Sequence, residues 1–444
     1  MSDEILAVDR MRELIEYGRL PDFVAQAHDL EPADLADVLT SLDEDTRVVV
    51  MRLLPPELLG KALAERPEQL HAGETLAALE PEHAAEIVEK LPDDEAADIL
   101  GELEADQKER ILRKIEDRAS VDKLLQYEED TAGGIMTGRL VAVQDNATAS
   151  QALEDIRLQA EESDDFYQVF VIDGQRRLVG ALPLKVLVVS QPDRPVREIM
   201  TDADIRVTTD MDQEAVARVM TRYDLPSVPV VDAFGRLVGR VTFDDVMDVV
   251  QEEGTEDLLR FGGGSGDEDI GAGWASAVKS RLPWLYINLF TAFLAAAVVV
   301  FFQGTLERIV ILSAWMPVVA GMGGNAGTQA LAVTVRRLAL GQVPTGQFAR
   351  VIWKESVVGI LNGVAIGVVV CAVALAMGRT PMLGVVVFLA MTGNLFVAGF
   401  AGAFIPILLE RFRIDPAVAS SIFVTTFTDM FGFFLLLGLA SRLL

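Results

Sequence analysis

Three hydrophobic patterns succeed one another along the chain. Over the first 115 or so residues, short apolar stretches follow Leu30-Glu-Pro, Leu42-Asp-Glu, Leu54-Pro-Pro, Leu79-Glu-Pro, Leu91-Pro-Asp and Leu103-Glu-Ala, with a degenerate unit near Arg66. The spacing is about twelve residues or a near multiple of it. Each unit opens with Pro or an acid, which the first turn of a helix favours, and continues with apolar residues three and four apart. This predicts an α-solenoid of short helices, each too small to bury its face alone; an ordinary helical bundle is the alternative, and function hardly depends on the choice. The next pattern mixes helix and strand and occurs twice. Ile135-Met136-Thr137 recurs as Ile199-Met200-Thr201, and Val171-Ile-Asp173 with Arg177-Leu-Val-Gly180 recurs as Val230-Val-Asp232 with Arg236-Leu-Val-Gly239. Each copy has a helical pattern (149–160, 213–223), two β-rich runs around an Asp/Gly turn, and another helix. The last pattern, after Trp274, is five apolar segments at roughly 283–303, 309–335, 355–377, 382–409 and 416–440. Each is long enough to cross a hydrocarbon core of about 30 Å, and Asp415-Pro416 fits an N-cap followed by Pro at the first position of the last segment.

Charge sharpens this division. The 444 residues are 51% apolar and carry a formal charge of −29. From residue 271 onward there are five acids and eleven basic residues, so the 62 acids and 27 basic residues before them leave a balance of −35. Such a front half repels nucleic acid and anionic lipid and attracts cations; a surface adapted to high salt is the competing explanation. Basic residues also assign an orientation. Lys279 and Arg281 precede the first segment, Arg336, Arg337, Arg350 and Lys354 join the second to the third, and Arg411 and Arg413 join the fourth to the fifth. Arg308, Arg379 and Arg442 fall on the other side. The N-terminal part is therefore expected in the cytoplasm and the C-terminus outside. The single cysteine, Cys371, lies in an apolar run, which excludes a disulfide framework and a thiolate metal site. His28, His71 and His83 lack metal-ligand spacing, and the first twenty residues have no long apolar core, so no signal peptide is expected.

Three places carry candidate chemistry. Asp244, Asp248, Glu252 and Glu256 are spaced by four, with Asp245, Glu253 and Asp257 beside them. Like charges at that spacing oppose a helix, a penalty that a bound divalent cation removes; a solvated acidic face is the plainer reading. Asp429 sits within the fifth apolar segment, flanked by Thr425, Thr426 and Thr428. An intramembrane carboxylate is costly unless it faces water, a partner or an ion. Within the second segment, Pro317-Val-Val-Ala-Gly321-Met-Gly323-Gly324-Asn325-Ala-Gly327-Thr328-Gln329 combines a Pro with four glycines. That composition is expected to weaken the helix and free carbonyls beside water or in a buried place. Carbonyls, an amide and a carboxylate are hard ligands suited to Mg²⁺ or Ca²⁺. Gly323 and Gly327 also form a GxxxG pair, whose plain role is helix packing.

Residues 131–250 resemble a tandem CBS-domain pair, a regulatory module that commonly binds nucleotides or ions, which leaves ATP at the CBS cleft as an open alternative. Over nearly the whole chain, the order of solenoid, paired CBS domains, acidic helix and five spans resembles the MgtE magnesium transporters. The Pro317–Gln329 run and Thr425-Thr-Phe-Thr-Asp429 look like that family's two pore motifs, and Glu128-Glu-Asp-Thr-Ala-Gly-Gly-Ile-Met136 and Asp244-Asp-Val-Met-Asp248 match two more. The resemblance implies a multidomain chain: a helical-repeat α-solenoid N-domain (1–127), α/β tandem CBS domains (128–250), an acidic connecting helix (243–262), a flexible linker (263–275) and an all-α five-helix transmembrane pore domain (276–444). It implies a plasma-membrane homodimer surrounded by lipid, with a pore on the two-fold axis lined by spans two and five. Asp429 of both subunits would hold a largely hydrated Mg²⁺, helped by Gly321, Asn325 and Thr425. Cytoplasmic Mg²⁺ would bind Asp94, Asp98, Gly134, Asp224, Asp245, Asp248, Glu253, Glu256 and Asp257 and lock the pore shut. Two positions depart from the family pattern: Lys61 stands where an N-domain acid is expected, and Ile422 where a Pro usually follows Ser421.

The expected function is Mg²⁺ uptake through a passive channel, because no nucleotide-hydrolysis motif such as GxxxxGK[ST] occurs. A channel for Ca²⁺, Mn²⁺ or Co²⁺ is the nearest alternative. A membrane-anchored CBS nucleotide sensor is another, but a plain anchor needs neither Asp429 nor a broken second span. An enzyme is not expected, since the apolar half contains no nucleophile–base pair.

Overall fold

The computed structural model describes residues 2–65, 67, 70–115, 118–160, 166, 168–264, 274–378, 380–418 and 421–444. The chain divides into two compact units, Met1–Val250 and Gln251–Leu444. The linker expected over 263–275 falls largely on residues 265–273, outside the described residues.

The first unit opens with helices α1 (Ser2–Glu16), α2 (Leu20–Ala27), α3 (Pro32–Thr40), α4 (Glu44–Met51), α5 (Pro56–Glu65), α6 (Ala72–Ala77), α7 (Pro81–Val88), α8 (Asp93–Gly101), α9 (Ala105–Leu112) and α10 (Arg118–Leu124). The repeated sequence signals sit at their starts. Pro32, Pro56 and Pro81 occupy first helical positions, where the missing N–H costs nothing. Asp43 accepts from the Thr46 N–H at 3.1 Å, and Glu104 and Gln107 form a capping box. Helices of this length are marginal alone. Alternate helices therefore stack, α3 on α5, α5 on α7 and α7 on α9, with α8 against α6 and α10. Leu35, Leu39, Leu59, Leu63, Ile87 and Ile99 are fully buried in a core that continues into Val228, Val230 and Val241 of the following sheets.

Those sheets form two copies of one arrangement. In the first, β1 (Ala142–Gln144) runs parallel to β2 (Gln168–Ile172), which pairs antiparallel with β3 (Leu178–Pro183), and β3 pairs with β4 (Thr201–Asp202). In the second, β5 (Val207–Thr208) runs parallel to β6 (Ser227–Val231), itself antiparallel to β7 (Leu237–Thr242). Helices α11 (Ala149–Gln159), α12 (Leu184–Val189), α13 (Val196–Ile199), α14 (Gln213–Tyr223) and α15 (Phe243–Phe261) complete them. The repeated Ile-Met-Thr and Arg-Leu-Val-Gly segments meet each other crosswise. Thr201 of β4 pairs with β3 of the first copy, and Thr137 bridges Arg240 in β7 of the second. The repeated glycines leave space for the repeated methionines: a Cβ on Gly180 would lie 2.7 Å from Met200 Sδ, and one on Gly239 2.5 Å from Met136 Sδ.

The second unit contains the remainder of α15, then α16 (Trp274–Phe301), the short α17 (Gln303–Arg308), α18 (Leu312–Ala339), α19 (Phe348–Ala376), α20 (Pro381–Arg411) and α21 (Ser421–Leu443). Among the described residues, α16, α19, α20 and α21 are long and apolar enough to cross a membrane. Helix α18 has 28 residues, the same length as α16. It falls short on composition, because the Gly-, Asn- and Gln-rich run dilutes its apolar residues. The structure corrects two expectations here. Helix α18 is not broken: Pro317 and the four glycines lie inside continuous α-helix, since glycine permits tight packing as readily as it permits unwinding. Nor does Asp415-Pro416 start the last long helix. Asp415 Oδ1 accepts from the Ala417 N–H at 2.8 Å within a short 3₁₀ turn (Pro416–Val418), and α21 begins at Ser421.

Candidate functional site

The acids of the first unit gather at the start of two helices. Asp93 and Asp94 open α8, where the helix dipole favours negative charge, and both are buried. Asp93 docks α8 onto the segment preceding the first sheet: its carboxylate accepts from Thr137 Oγ1 at 2.6 Å and the Gly138 N–H at 2.9 Å. Asp94 Oδ1 has no hydrogen-bond partner among the described residues. On α15, Asp245 Oδ2 accepts from the Thr242 N–H at 2.9 Å and from Thr242 Oγ1 at 2.5 Å. Burial, then the charges of Asp245 and Asp93, push the Asp94 carboxyl up to about 8. Burial followed by Asp94, Asp98, Asp245 and Asp248 pushes Glu95 up to about 9. Burial raises Asp245 to about 6 against the Thr242 hydrogen bonds, and burial with Asp244 raises Asp248. Asp94, Asp98, Asp245 and Asp248 thus share one electrostatic neighbourhood with Glu95, a residue the sequence reading passed over. Among the described residues no three His, Cys, Asp or Glu side chains converge as a metal-ligand set.

The other expected sensor residues stand elsewhere. Gly134 is buried in a tight turn, where its N–H donates to the Thr131 carbonyl. Asp224 is exposed at the end of α14 with φ +51°. Lys61 pairs with Glu57 at 3.3 Å on an exposed helix face. Glu253, Glu256 and Asp257 belong to the second unit. Arg260 pairs with both Glu256 and Asp415, and burial followed by Asp415 and Glu253 raises the Asp257 carboxyl. Phe261 packs with Leu331, Val335, Val424, Ile405 and Leu409, and the Ile422 side chain lies against Gly263.

The raised carboxyls fix a sign for pH. Their folded values lie above the ordinary carboxylate range near 4, so the folded state keeps protons that the unfolded state releases. The stability they contribute is complete below about pH 4 and is lost as pH rises through about 6 and on to 9. In chelator, thermal unfolding of the first unit is expected at least about 4 °C lower at pH 8.5 than at pH 6. Millimolar Mg²⁺ should narrow that gap by replacing the protons. Equal melting temperatures at the two pH values would show that these carboxyls are not raised in the folded protein.

In the second unit, the seam between α18 and α21 brings the two candidate motifs together. A Cβ on Gly327 would lie 2.5 Å from Val424 Cγ1, and one on Gly323 3.1 Å from Thr428 Cβ. One position round α18, a Cβ on Gly324 would lie 3.3 Å from Thr425 Cγ2. Thr425, and Asp429 one turn further on, therefore lie toward the side of the seam where α18 carries Gly321 and Asn325. Gly321 and Asn325 are exposed, and no side chain of this chain covers Gly321 among the described residues. Asp429 is half-buried and receives no hydrogen bond or ion pair from the described residues. Thr425 Oγ1 donates to the Ser421 carbonyl at 2.8 Å and leaves its lone pairs available. Another polar residue at this junction is fully buried: Asn394 of α20, whose Nδ2 donates to the Val319 carbonyl at 2.9 Å. Its sequence signal was an amide in the middle of a long apolar helix.

A family model described as divalent cation transporter matches residues 316–439, spanning both sides of this seam. A second, MgtE intracellular N domain, matches residues 30–130, and a CBS-domain model matches residues 196–252. The magnesium transporter MgtE of Bacillus subtilis is 30% identical over 445 residues, covering 99% of this chain and 97% of that protein. The chain belongs to the MgtE family. The Thermus thermophilus MgtE magnesium transporter is 37% identical over 329 residues, covering 74% of this chain and 73% of that protein. Two solved structures resemble the first unit. The cytosolic domain of the Mg²⁺ channel MgtE in complex with ATP has a TM-score of 0.51 at 37% identity, covering 55% of this chain and 99% of that one. The soluble part of a magnesium transporter has a TM-score of 0.50 at 30% identity, covering 56% of this chain and 99% of that one. MgtE membership makes the chain a membrane transporter of divalent cations, in a family of transporters rather than enzymes.

Proposed function

We propose that this MgtE protein is a Mg²⁺ channel of the plasma membrane, closed by Mg²⁺ binding to its cytoplasmic acids. The observation that carries the proposal is Asp429, a carboxylate in an apolar helix unpaired among the described residues, beside the open Gly321–Asn325 face of α18. Two copies related by a two-fold axis would turn these faces inward, and paired Asp429 carboxylates with amide, carbonyl and hydroxyl oxygens would hold a cation that keeps most of its water. The names of the relatives favour Mg²⁺ as the cargo. The surplus of basic residues at one set of helix ends favours a cytoplasmic N-terminus and an external C-terminus.

Closure by Mg²⁺ rests on the first unit. A buried Asp94 oxygen without a donor among the described residues, next to carboxyls held up by burial and by one another's charge, fits a hard cation. Because no three such side chains converge among the described residues, Asp94, Asp98, Asp245 and Asp248 would hold it largely through water. Glu253, Glu256 and Asp257 would extend the response along α15, with Gly134 and Asp224 as further contacts. An ion that prefers the closed form shifts the population toward it by mass action. An N-domain, a CBS pair, a connecting helix, a linker and a pore domain would be the parts of this valve. ATP at the CBS cleft is a second ligand of the same region, favoured by the ATP complex of the related cytosolic domain.

A competition assay tests the cargo. In proteoliposomes with a Mg²⁺-sensitive dye, equimolar Ca²⁺ should reduce Mg²⁺ entry by less than half. Entry suppressed by Ca²⁺, Mn²⁺ or Co²⁺ at concentrations well below that of Mg²⁺ would assign the pore to that ion instead.

A further inference from the structure

The ion-facing residues leave Asn394 unused, yet it sits at the centre of the helices that carry them. Its Nδ2 is tied to the Val319 carbonyl of α18, and its Oδ1 has no donor among the described residues. Two glycines on two other helices make its space. A Cβ on Gly323 of α18 would overlap the Asn394 amide nitrogen, and a Cβ on Gly432 of α21 would lie 2.8 Å from Nδ2 and 3.2 Å from Oδ1. One amide is thus gripped by α18 and α21 together. The gripping positions adjoin the ion face: Gly323 lies between Gly321 and Asn325, and Gly432 lies three residues after Asp429.

Stability alone is a poor reason for this arrangement. A fully buried acceptor without a donor is unfavourable, whereas an apolar side chain in an apolar junction carries no such penalty. Directional hydrogen bonding does what apolar packing cannot, fixing the rotation and depth of one helix against another. The acceptor is on the turn of α18 that leads into Gly321, so a rotation of that turn would move the ion face.

We propose that Asn394 is a positioning residue of the pore, a peg in a two-glycine socket that sets the spacing between the Gly321–Asn325 face and Asp429. The proposal rests on the pore reading of Asp429 and adds to it what holds the two sides in register. Mg²⁺ demands a near-ideal octahedral arrangement, whereas Ca²⁺ accepts looser and larger ones. Loosening the socket should therefore damage Mg²⁺ recognition more than assembly.

Full-length Asn394→Ala, Gly323→Ala and the double variant, compared by dye flux in proteoliposomes and by size-exclusion chromatography, test this. Asn394→Ala is expected to assemble and to raise the half-saturating Mg²⁺ concentration about threefold to tenfold, with a smaller preference for Mg²⁺ over Ca²⁺. Gly323→Ala is expected to lower uptake about tenfold through the clash, and adding Asn394→Ala should recover part of it, the tight approach to Thr428 Cβ remaining. Should Asn394→Ala not assemble, Asn394→Ser, which keeps a donor in less volume, is expected to assemble and show the same shift in the same direction. Unchanged half-saturation and ion preference in the assembled variant, or a double variant no better than Gly323→Ala, would overturn the proposal. The pore reading fails separately: Asp429→Ala that still transports would remove it whatever the Asn394 variants do.

Discussion

Asp429→Ala is expected to lower Mg²⁺ uptake at least about a hundredfold while leaving the protein assembled. The other acids after residue 271 cannot replace it. Glu307 accepts from Gln303, Glu355 pairs with Lys354, Asp415 pairs with Arg260, and Glu410 is exposed near the end of its helix. Asp429 alone lies mid-helix with no donor from the described residues, so its removal breaks no hydrogen bond or ion pair among them. Assembly should survive for that reason. What is lost is the negative charge that makes the passage of a largely hydrated cation tolerable in an apolar surrounding. Asp429→Asn, which keeps the shape and removes the charge, should lose nearly as much. Near-normal dye flux in an assembled Asp429→Ala protein would eliminate the pore site.

How legible all this was in the sequence depended on the range of the interaction. The short helices announced themselves through local rules, since Pro32, Pro56 and Pro81 mark starts that depend only on their own first turn. The two sheet copies were legible because the repeat was printed twice. Their crosswise pairing was not, because Met136 against Gly239 and Met200 against Gly180 are contacts between residues far apart in the chain. The glycine-rich run misled on one point. Glycine removes a side chain whether a helix unwinds or another helix approaches, and only the positions of Val424, Thr428 and Asn394 decide for approach. Asp415-Pro416 likewise reads as a cap, which it is, but of a 3₁₀ turn rather than the long helix. At the acidic site, Asp245 was visible as a charge beside an acidic helix face, and Asp94 through the family resemblance. That Glu95 joins them, and that Asp93 instead docks to Thr137, follows from burial that the sequence does not print.

Neutralising the acidic group of the first unit is expected to act in the opposite sense to Asp429→Ala. Asp94, Glu95, Asp245 and Asp248 are held close despite like charge, and burial first, then their neighbours' charges, raise the carboxyls of Asp94 and Glu95. If Mg²⁺ lifts the repulsion only in the closed form, the ion's preference for that form is the whole driving force for closure. A ligand with equal affinity for both forms shifts no equilibrium. Asp94→Asn together with Asp245→Asn and Asp248→Asn removes most of the negative charge and keeps the side-chain shapes. The triple variant should need at least about tenfold more Mg²⁺ to close, or fail to close at all. The same substitutions relieve repulsion, so the divalent-free first unit should also become harder to digest with protease. Closure at the parental concentration would mean that these acids only solvate the surface.

Inside-out patch recording, with Mg²⁺ as the external charge carrier and Mg²⁺ titrated on the cytoplasmic face, addresses channel and gate at once. For the unmodified protein, an inward current is expected at submicromolar cytoplasmic Mg²⁺ and should fall away as the bath reaches several millimolar, while equal ionic strength supplied as NaCl leaves it open. In the Asn triple variant the current should persist at the millimolar concentration, and in Asp429→Ala there should be none at any concentration. A Mg²⁺ current indifferent to cytoplasmic Mg²⁺, or equally suppressed by NaCl, would contradict a Mg²⁺-closed channel.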